Sequence, residues 1–178
     1  MPVSLDDERL RRDYATRQAE TGAPVTVLQI GAEQTRVASG RGPAPDAVLA
    51  LDIGTRRTAA AHFRHEPPTA DELENAIMTV EDALAPARAQ IVAGSKLFCS
   101  DVMVHELAQL AGLPDRPDTP LSRDAIERLF DRLGRVALGR PAALEGLPAR
   151  NDLAATLLIL REFSHHMDFA TVTTGAQA

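Results

Sequence analysis

Three short β-rich runs in close succession limit this chain more than any other feature: Val25 to Ile30, a return run around Val37, and Val48 to Ile53. Turn residues bound them, with Gly31 after the first, the Arg41 to Asp46 stretch holding Gly42 and two prolines before the third, and Gly54 after it. Runs of this length and spacing predict an antiparallel meander. A meander leaves a sheet face exposed, so later strands must extend it and helices must cover it. A tight Gly turn directly after a buried strand is also where α/β proteins gather backbone amides around phosphate.

The remaining segments supply those coverings. Met1 to Thr21 mixes both charge signs around Leu5, Leu10 and Tyr14 and reads as a mostly solvated helix stopped by Gly22 and Pro24. This divides the chain into an N-terminal helix, 1–23, and one compact domain, 24–178. Thr69-Ala70-Asp71-Glu72 has the form of a capping box, followed by a helical stripe of Leu73, Ile77, Val80 and Leu84. Gln90 to Gly94 reads as a short fourth strand opening on a second loop, Gly94-Ser95-Lys96. Ser100 reads as the cap of a helix lined by Met103, Leu107 and Leu110, and Ser122 as the cap of one carrying Ile126, Leu129, Leu133 and Val136. Asp152 caps a helix whose apolar run from Leu153 to Leu160 implies burial nearly all round, and Phe169 to Thr173 forms the last strand. The order helix, three strands, helix, strand, two or three helices, strand is that of an RNase H-like α/β domain with a mixed five-strand sheet and helices on both faces.

Charge and cysteine content narrow the function classes. A net charge of −6 with no Lys/Arg block argues against nucleic acid or an anionic membrane as partner. The one cysteine, Cys99, excludes an intrachain disulfide and reads as a buried, inert thiol. With no N-terminal apolar segment and no run long enough to span a bilayer, the expected location is the cytoplasm.

With the elements placed, Val25 to Gly175 resembles the second, actin-like domain of the exopolyphosphatase and guanosine pentaphosphate phosphohydrolase (Ppx/GppA) family. VLQIGAEQTRV stands where that family has a strand, an Asp-Ile-Gly-Gly-Gly-Ser-Thr loop and a second strand. LDIGTRRT, EPPTADELE, IVAGSKLFCSDVMVHELAQLAG, TPLSRDAIERLFDRL and GLPARNDLAATLLIL follow in the family's order. The resemblance implies hydrolysis of a terminal phosphoanhydride of polyphosphate or a guanosine polyphosphate, with Mg²⁺ as cofactor and Gly31, Thr35, Gly94, Ser95 and Lys96 steering phosphate. It also implies a first domain carrying the general base, whereas before Pro24 there is about one helix; Glu8 there has no scaffold to make it a base.

The departures fall at the chemistry. Gln29 replaces the family's Asp, Ala32 and Glu33 replace glycines, and Gln34 replaces Ser. A carboxylate aimed into a phosphate site repels it by about 4 kcal/mol at about 4 Å and an effective dielectric near 20, more than the roughly 1 kcal/mol of a hydrogen bond. These changes predict a degenerate site, inactive or dependent on a separate first-domain partner. A second expectation is a non-catalytic binding or assembly domain, with a homodimer or another protein covering the exposed face. A third is a truncated actin-like ATPase or sugar kinase using Asp52-Ile53-Gly54-Thr55, residues that read more simply as a strand end. Lys96 and Arg57 are candidate anion contacts that also suit solvated surface. His165, His166 and Asp168 cluster near a helix end, but adjacent histidines point about 100° apart and do not readily share a metal, so no metal site is expected there.

Overall fold

The structure, a computed structural model, describes residues 5–175. The first four residues of the N-terminal helix read from the sequence and the last three of the chain lie outside that range. The elements are α1 (Leu5–Thr21), β1 (Val25–Ile30), β2 (Thr35–Gly40), β3 (Ala47–Leu51), α2 (Thr55–His62), α3 (Ala70–Leu84), β4 (Lys96–Cys99), α4 (Val102–Leu110), β5 (Thr119–Ser122), α5 (Arg123–Ala137), α6 (Asn151–His166) and β6 (Thr171–Thr174). Two 3₁₀ turns, Ala85–Gln90 and Ala142–Glu145, join them.

The meander forms as its residues dictate, β1 to β2 and β2 to β3 both antiparallel, with Val25 opposite Gly40 and Ile30 opposite Thr35. The sheet then grows on the other side of β1, in the order β3-β2-β1-β4-β6-β5. β4 runs parallel to β1, β6 parallel to β4, and β5 antiparallel to β6. This is the mixed α/β sheet expected, with six strands instead of five. The sixth, β5, is the Thr-Pro-Leu-Ser stretch before the Ser122 cap. With Pro120 in it the segment has no strand pattern, and it is tolerated because it lies at the sheet edge, where a missing N–H breaks no inner ladder.

The fourth strand is a correction. Gln90 to Gly94 is not a strand: Gln90 ends the 3₁₀ turn that begins at Ala85, and Gly94 takes a positive φ of 73°. Val92 is buried, as a strand residue would be, but its N–H donates to the side-chain hydroxyl of Ser39 in β2 at 2.9 Å and not to the main chain of a neighbouring strand. The strand that pairs with β1 is the next four residues, Lys96–Cys99. The last strand likewise starts at Thr171, two residues later than expected.

Helices cover the two faces unequally. On one face Leu28, Ile30, Val37, Leu97, Cys99 and Val172 join α2 to α6 in a single large core. α6 is its centre, buried at every position from Leu153 to Leu160 and packed against α2, α3, α4 and α5. The opposite face has α1, whose Leu10 and Tyr14 close over Val25, Val27, Ala38 and Phe98. The Tyr14 hydroxyl donates to Gly42 O at 2.8 Å. α1 is thus solvated on one side, as read, yet it seals a second core. Among the described residues no helix is long and apolar enough to cross a membrane.

Candidate functional site

The C-terminal ends of the parallel strands β1 and β4 lie side by side, and in open α/β sheets this is the edge at which ligands bind. β1 ends at Ile30 and turns through Gly31, Ala32, Glu33 and Gln34 into β2. The turn is closed by the Gly31 N–H donating to Gln34 O at 3.0 Å. A Cβ on Gly31 would stand 2.8 Å from that same oxygen, so the turn needs glycine for close approach. The turn then lies against the start of α2. A Cβ on Gly54 would meet Ala32 O at 2.5 Å, which leaves glycine as the residue that lets the two backbones touch.

The contact has a chemical consequence. No side chain caps α2. Its first N–H groups donate to the turn: Thr55 N–H to Gly31 O at 2.9 Å, and Arg56 and Arg57 N–H to Ala32 O at 2.9 and 3.0 Å. The free amides of a helix N-terminus, which make it an anion site, are here already satisfied by the loop's carbonyls. Glu33 pairs with Arg56 at 2.7 Å on the surface. Asp52 accepts from Gln34 at 3.0 Å and from Arg57 at 3.4 Å, and Thr55 is buried at the first turn of α2.

From the β4 side comes a residue that was not singled out in the sequence. Asp101 lies between Cys99 and α4, and its carboxylate Oδ2 accepts the Ile30 N–H at 2.6 Å and the Cys99 thiol at 3.2 Å. It is the N-cap residue of α4, where Ser100 was expected, but its carboxylate makes no capping bond because it reaches across to the end of β1. Burial pushes the Asp101 carboxyl up, against the opposing pull of the Ile30 amide, the Cys99 thiol and Arg9. Burial, followed by the Asp101 charge, pushes the Cys99 thiol up as well, so it is not a poised nucleophile.

Asp101 borders a cleft of about 530 Å³ that also takes in Arg9, Gln29, Gly31, Arg36 and Arg57. Its arginines are opposed by carboxylates. Arg36 is paired with Asp7 and lies 3.9 Å from Asp6, Arg57 faces Asp52 at 3.4 Å, and Arg9 acts on Asp101. Asp101, Glu33 and the neighbouring Asp52 do not form a ready Mg²⁺ site, because each is already held by donors. Asp101 Oδ2 is committed to two donors, Glu33 to Arg56, and Asp52 to Gln34 and Arg57.

The five phosphate-steering candidates fall into two groups. Gly31 borders the cleft, and Thr35 beside it is fully buried at the start of β2, its hydroxyl without a protein partner. Gly94, Ser95 and Lys96 precede or open β4, with Lys96 opposite Val25 at the other end of β1. At about 3.3 Å per residue that is about 20 Å from Gly31. Ser95 belongs to a buried hydroxyl chain, its Oγ 2.7 Å from Thr26 Oγ1, which is 2.8 Å from Ser39 Oγ. The structure therefore does not bring the two loops to one site; the loop that does meet Gly31 is Cys99-Ser100-Asp101.

No protein-family model and no curated protein sequence matches the chain. Solved structures do. A Ppx/GppA enzyme of Aquifex aeolicus superposes with a TM-score of 0.76 at 16% identity, over 97% of this chain and 60% of that one. An exopolyphosphatase from Cytophaga hutchinsonii superposes with a TM-score of 0.71 at 14% identity, over 94% and 58%. An exopolyphosphatase-like protein gives 0.67 at 16% identity, over 88% and 57%. The chain thus spans about three fifths of the length of these neighbours, and across nearly all of its own length it has the actin-like fold of the Ppx/GppA proteins.

Proposed function

We propose that this chain is an exopolyphosphatase-type domain that does not hydrolyse phosphoanhydrides by itself and works as a binding or assembly domain. The observation that carries the proposal is the inward-turned first loop: Gly31 O and Ala32 O take the amides of Thr55, Arg56 and Arg57. A phosphate arriving there meets backbone oxygens and, across the cleft, the Asp101 carboxylate. An ionised carboxylate repels it by about 4 kcal/mol at about 4 Å, and Arg36 and Arg57, which could offset this, are already paired with Asp7 and Asp52. Polyphosphate and guanosine polyphosphates are accordingly weak ligands, and turnover needs a general base and a covering surface from a second body, on the same polypeptide or a separate one.

The test is phosphate release from long-chain polyphosphate with Mg²⁺. The pure, folded chain is expected to release none above a buffer blank. Release that disappears in both Asp101→Asn and Arg57→Ala, with folding intact, would show a working hydrolase and overturn the proposal.

A further inference from the structure

A second set of polar groups lies at the opposite end of the molecule. α6 ends at His166 and the chain enters β6 at Thr171, so this end of α6 adjoins the edge where the parallel strands begin, away from the cleft. There Glu81 of α3 and Glu162 and His166 of α6 converge, each offering a ligand atom, all within 4.8 Å of one another. Glu162 and His166 are four residues apart and share a helix face. His165, on a different face, is exposed and takes no part.

Three features distinguish this cluster from a surface ion pair. The His166 Nε2 atom is buried and has no hydrogen-bond partner. It stands 3.4 Å from Glu81 Oε1 and 3.4 Å from Glu162 Oε2. Those separations exceed the roughly 2.7–3.2 Å of an N–H···O bond. They match the edge of a tetrahedron with metal–ligand bonds of about 2.0–2.2 Å, whose corners lie about 3.3–3.6 Å apart.

Charge points the same way. Glu162 is 2% exposed, and its other oxygen takes Arg161 at 2.5 Å, while Arg161 also binds Glu127 at 2.9 Å. Arg161 is shared by Glu127 and Glu162, which leaves one carboxylate charge over, and the partly exposed Glu81 adds another on the far side of His166; a divalent cation offsets both. Buried charge is retained when it is paired or bound to metal.

We infer that Glu81, Glu162 and His166 form a divalent transition-metal site of the zinc type, with one imidazole, two carboxylates and a fourth position for water, clasping α3 to α6. It is independent of the hydrolysis question, because it uses none of the cleft residues.

The experiment is calorimetric titration of the chelator-stripped chain with Zn²⁺, with Co²⁺ absorption as a readout of geometry. One equivalent per chain is expected, with tetrahedral Co²⁺ bands and a Tm higher by about 5 °C when free Zn²⁺ is about 100-fold above Kd. His166→Ala and Glu81→Gln, both on partly exposed side chains, should each weaken binding at least about tenfold, and His165→Ala should leave it unchanged. No stoichiometric binding, or binding equally tight in His166→Ala and Glu81→Gln, would reduce the cluster to an imidazolium held between two carboxylates and overturn the inference.

Discussion

Asp101 concentrates what single residues do in this protein. Its carboxylate joins the end of β1 to the end of β4 through the Ile30 amide, 71 positions away in sequence. That separation is why it could not be read in advance: an Asp following Leu-Phe-Cys-Ser looks like part of an ordinary helix start, and its partner is set only when two parallel strands align. Replacing it with Ala leaves the Ile30 N–H without an acceptor and should cost about 1–3 kcal/mol in urea unfolding, while Asn, which still accepts, should cost less. The pH dependence has a definite sign. The folded-state carboxyl is raised above its ordinary 3.8, so the folded protein holds this proton more tightly than the unfolded chain. Its contribution is fully present below that ordinary value and is lost as the pH climbs through the raised one. The stability difference between the parent and Asp101→Asn should therefore shrink as the pH rises from 3.8 into the mildly acidic range, and urea midpoints at stepped pH would show it. A difference that stays flat counts against the assignment.

Among elements, the readable ones carry their own signals. Thr69 and Glu72 form the capping box their spacing indicates: the Thr69 hydroxyl accepts the Glu72 N–H and the Glu72 carboxylate accepts the Thr69 N–H at 2.9 Å. Ser122 caps α5 through the Ala125 N–H at 3.2 Å. α2 went unread for the opposite reason, since its N-terminus is satisfied by main-chain carbonyls of a distant turn and no capping side chain advertises it. β4 was misplaced because burial of Val92 followed by Gly94 imitates a strand and its turn. The capping box gives a second prediction. Thr69→Ala should cost about 1 kcal/mol. The Thr69 amide first, then His65 and the Arg64 amide, hold the Glu72 carboxyl down at about 2, from an ordinary 4.5. A depressed acid stabilises the fold above its unfolded value and loses that effect as the pH falls from 4.5 towards 2. Thermal melts in that window should fall less steeply for Glu72→Gln than for the parent; parallel curves would refute the role given to Glu72.

At the scale of the whole molecule the two sheet faces are stabilised differently. One has a core built from five helices, the other depends on α1 and chiefly on Leu10 and Tyr14. The mixed α/β sheet was readable because the meander and the helical stripes repeat at their proper periods; the second core was not, because α1 buries only Leu10 and Tyr14 of its seventeen residues and its other large apolar residue, Leu5, is exposed, so it has almost no stripe. Tyr14 is fully buried, so Tyr14→Ala should cost about 3–5 kcal/mol and Tyr14→Phe about 1 kcal/mol for the lost bond to Gly42, measured by circular dichroism in urea. Equal and small losses would mean that α1 is an appendage. The loop–helix contact also bears on what substitution at the turn can achieve. Placing glycines at positions 32 and 33 would not by itself create an anion cradle. The peptides on either side of Ala32 would have to rotate away from Thr55, Arg56 and Arg57, giving up three hydrogen bonds of about 1 kcal/mol each before any phosphate could be held. A change confined to the turn therefore cannot open an anion site, because the first amides of α2 would need other acceptors at the same time.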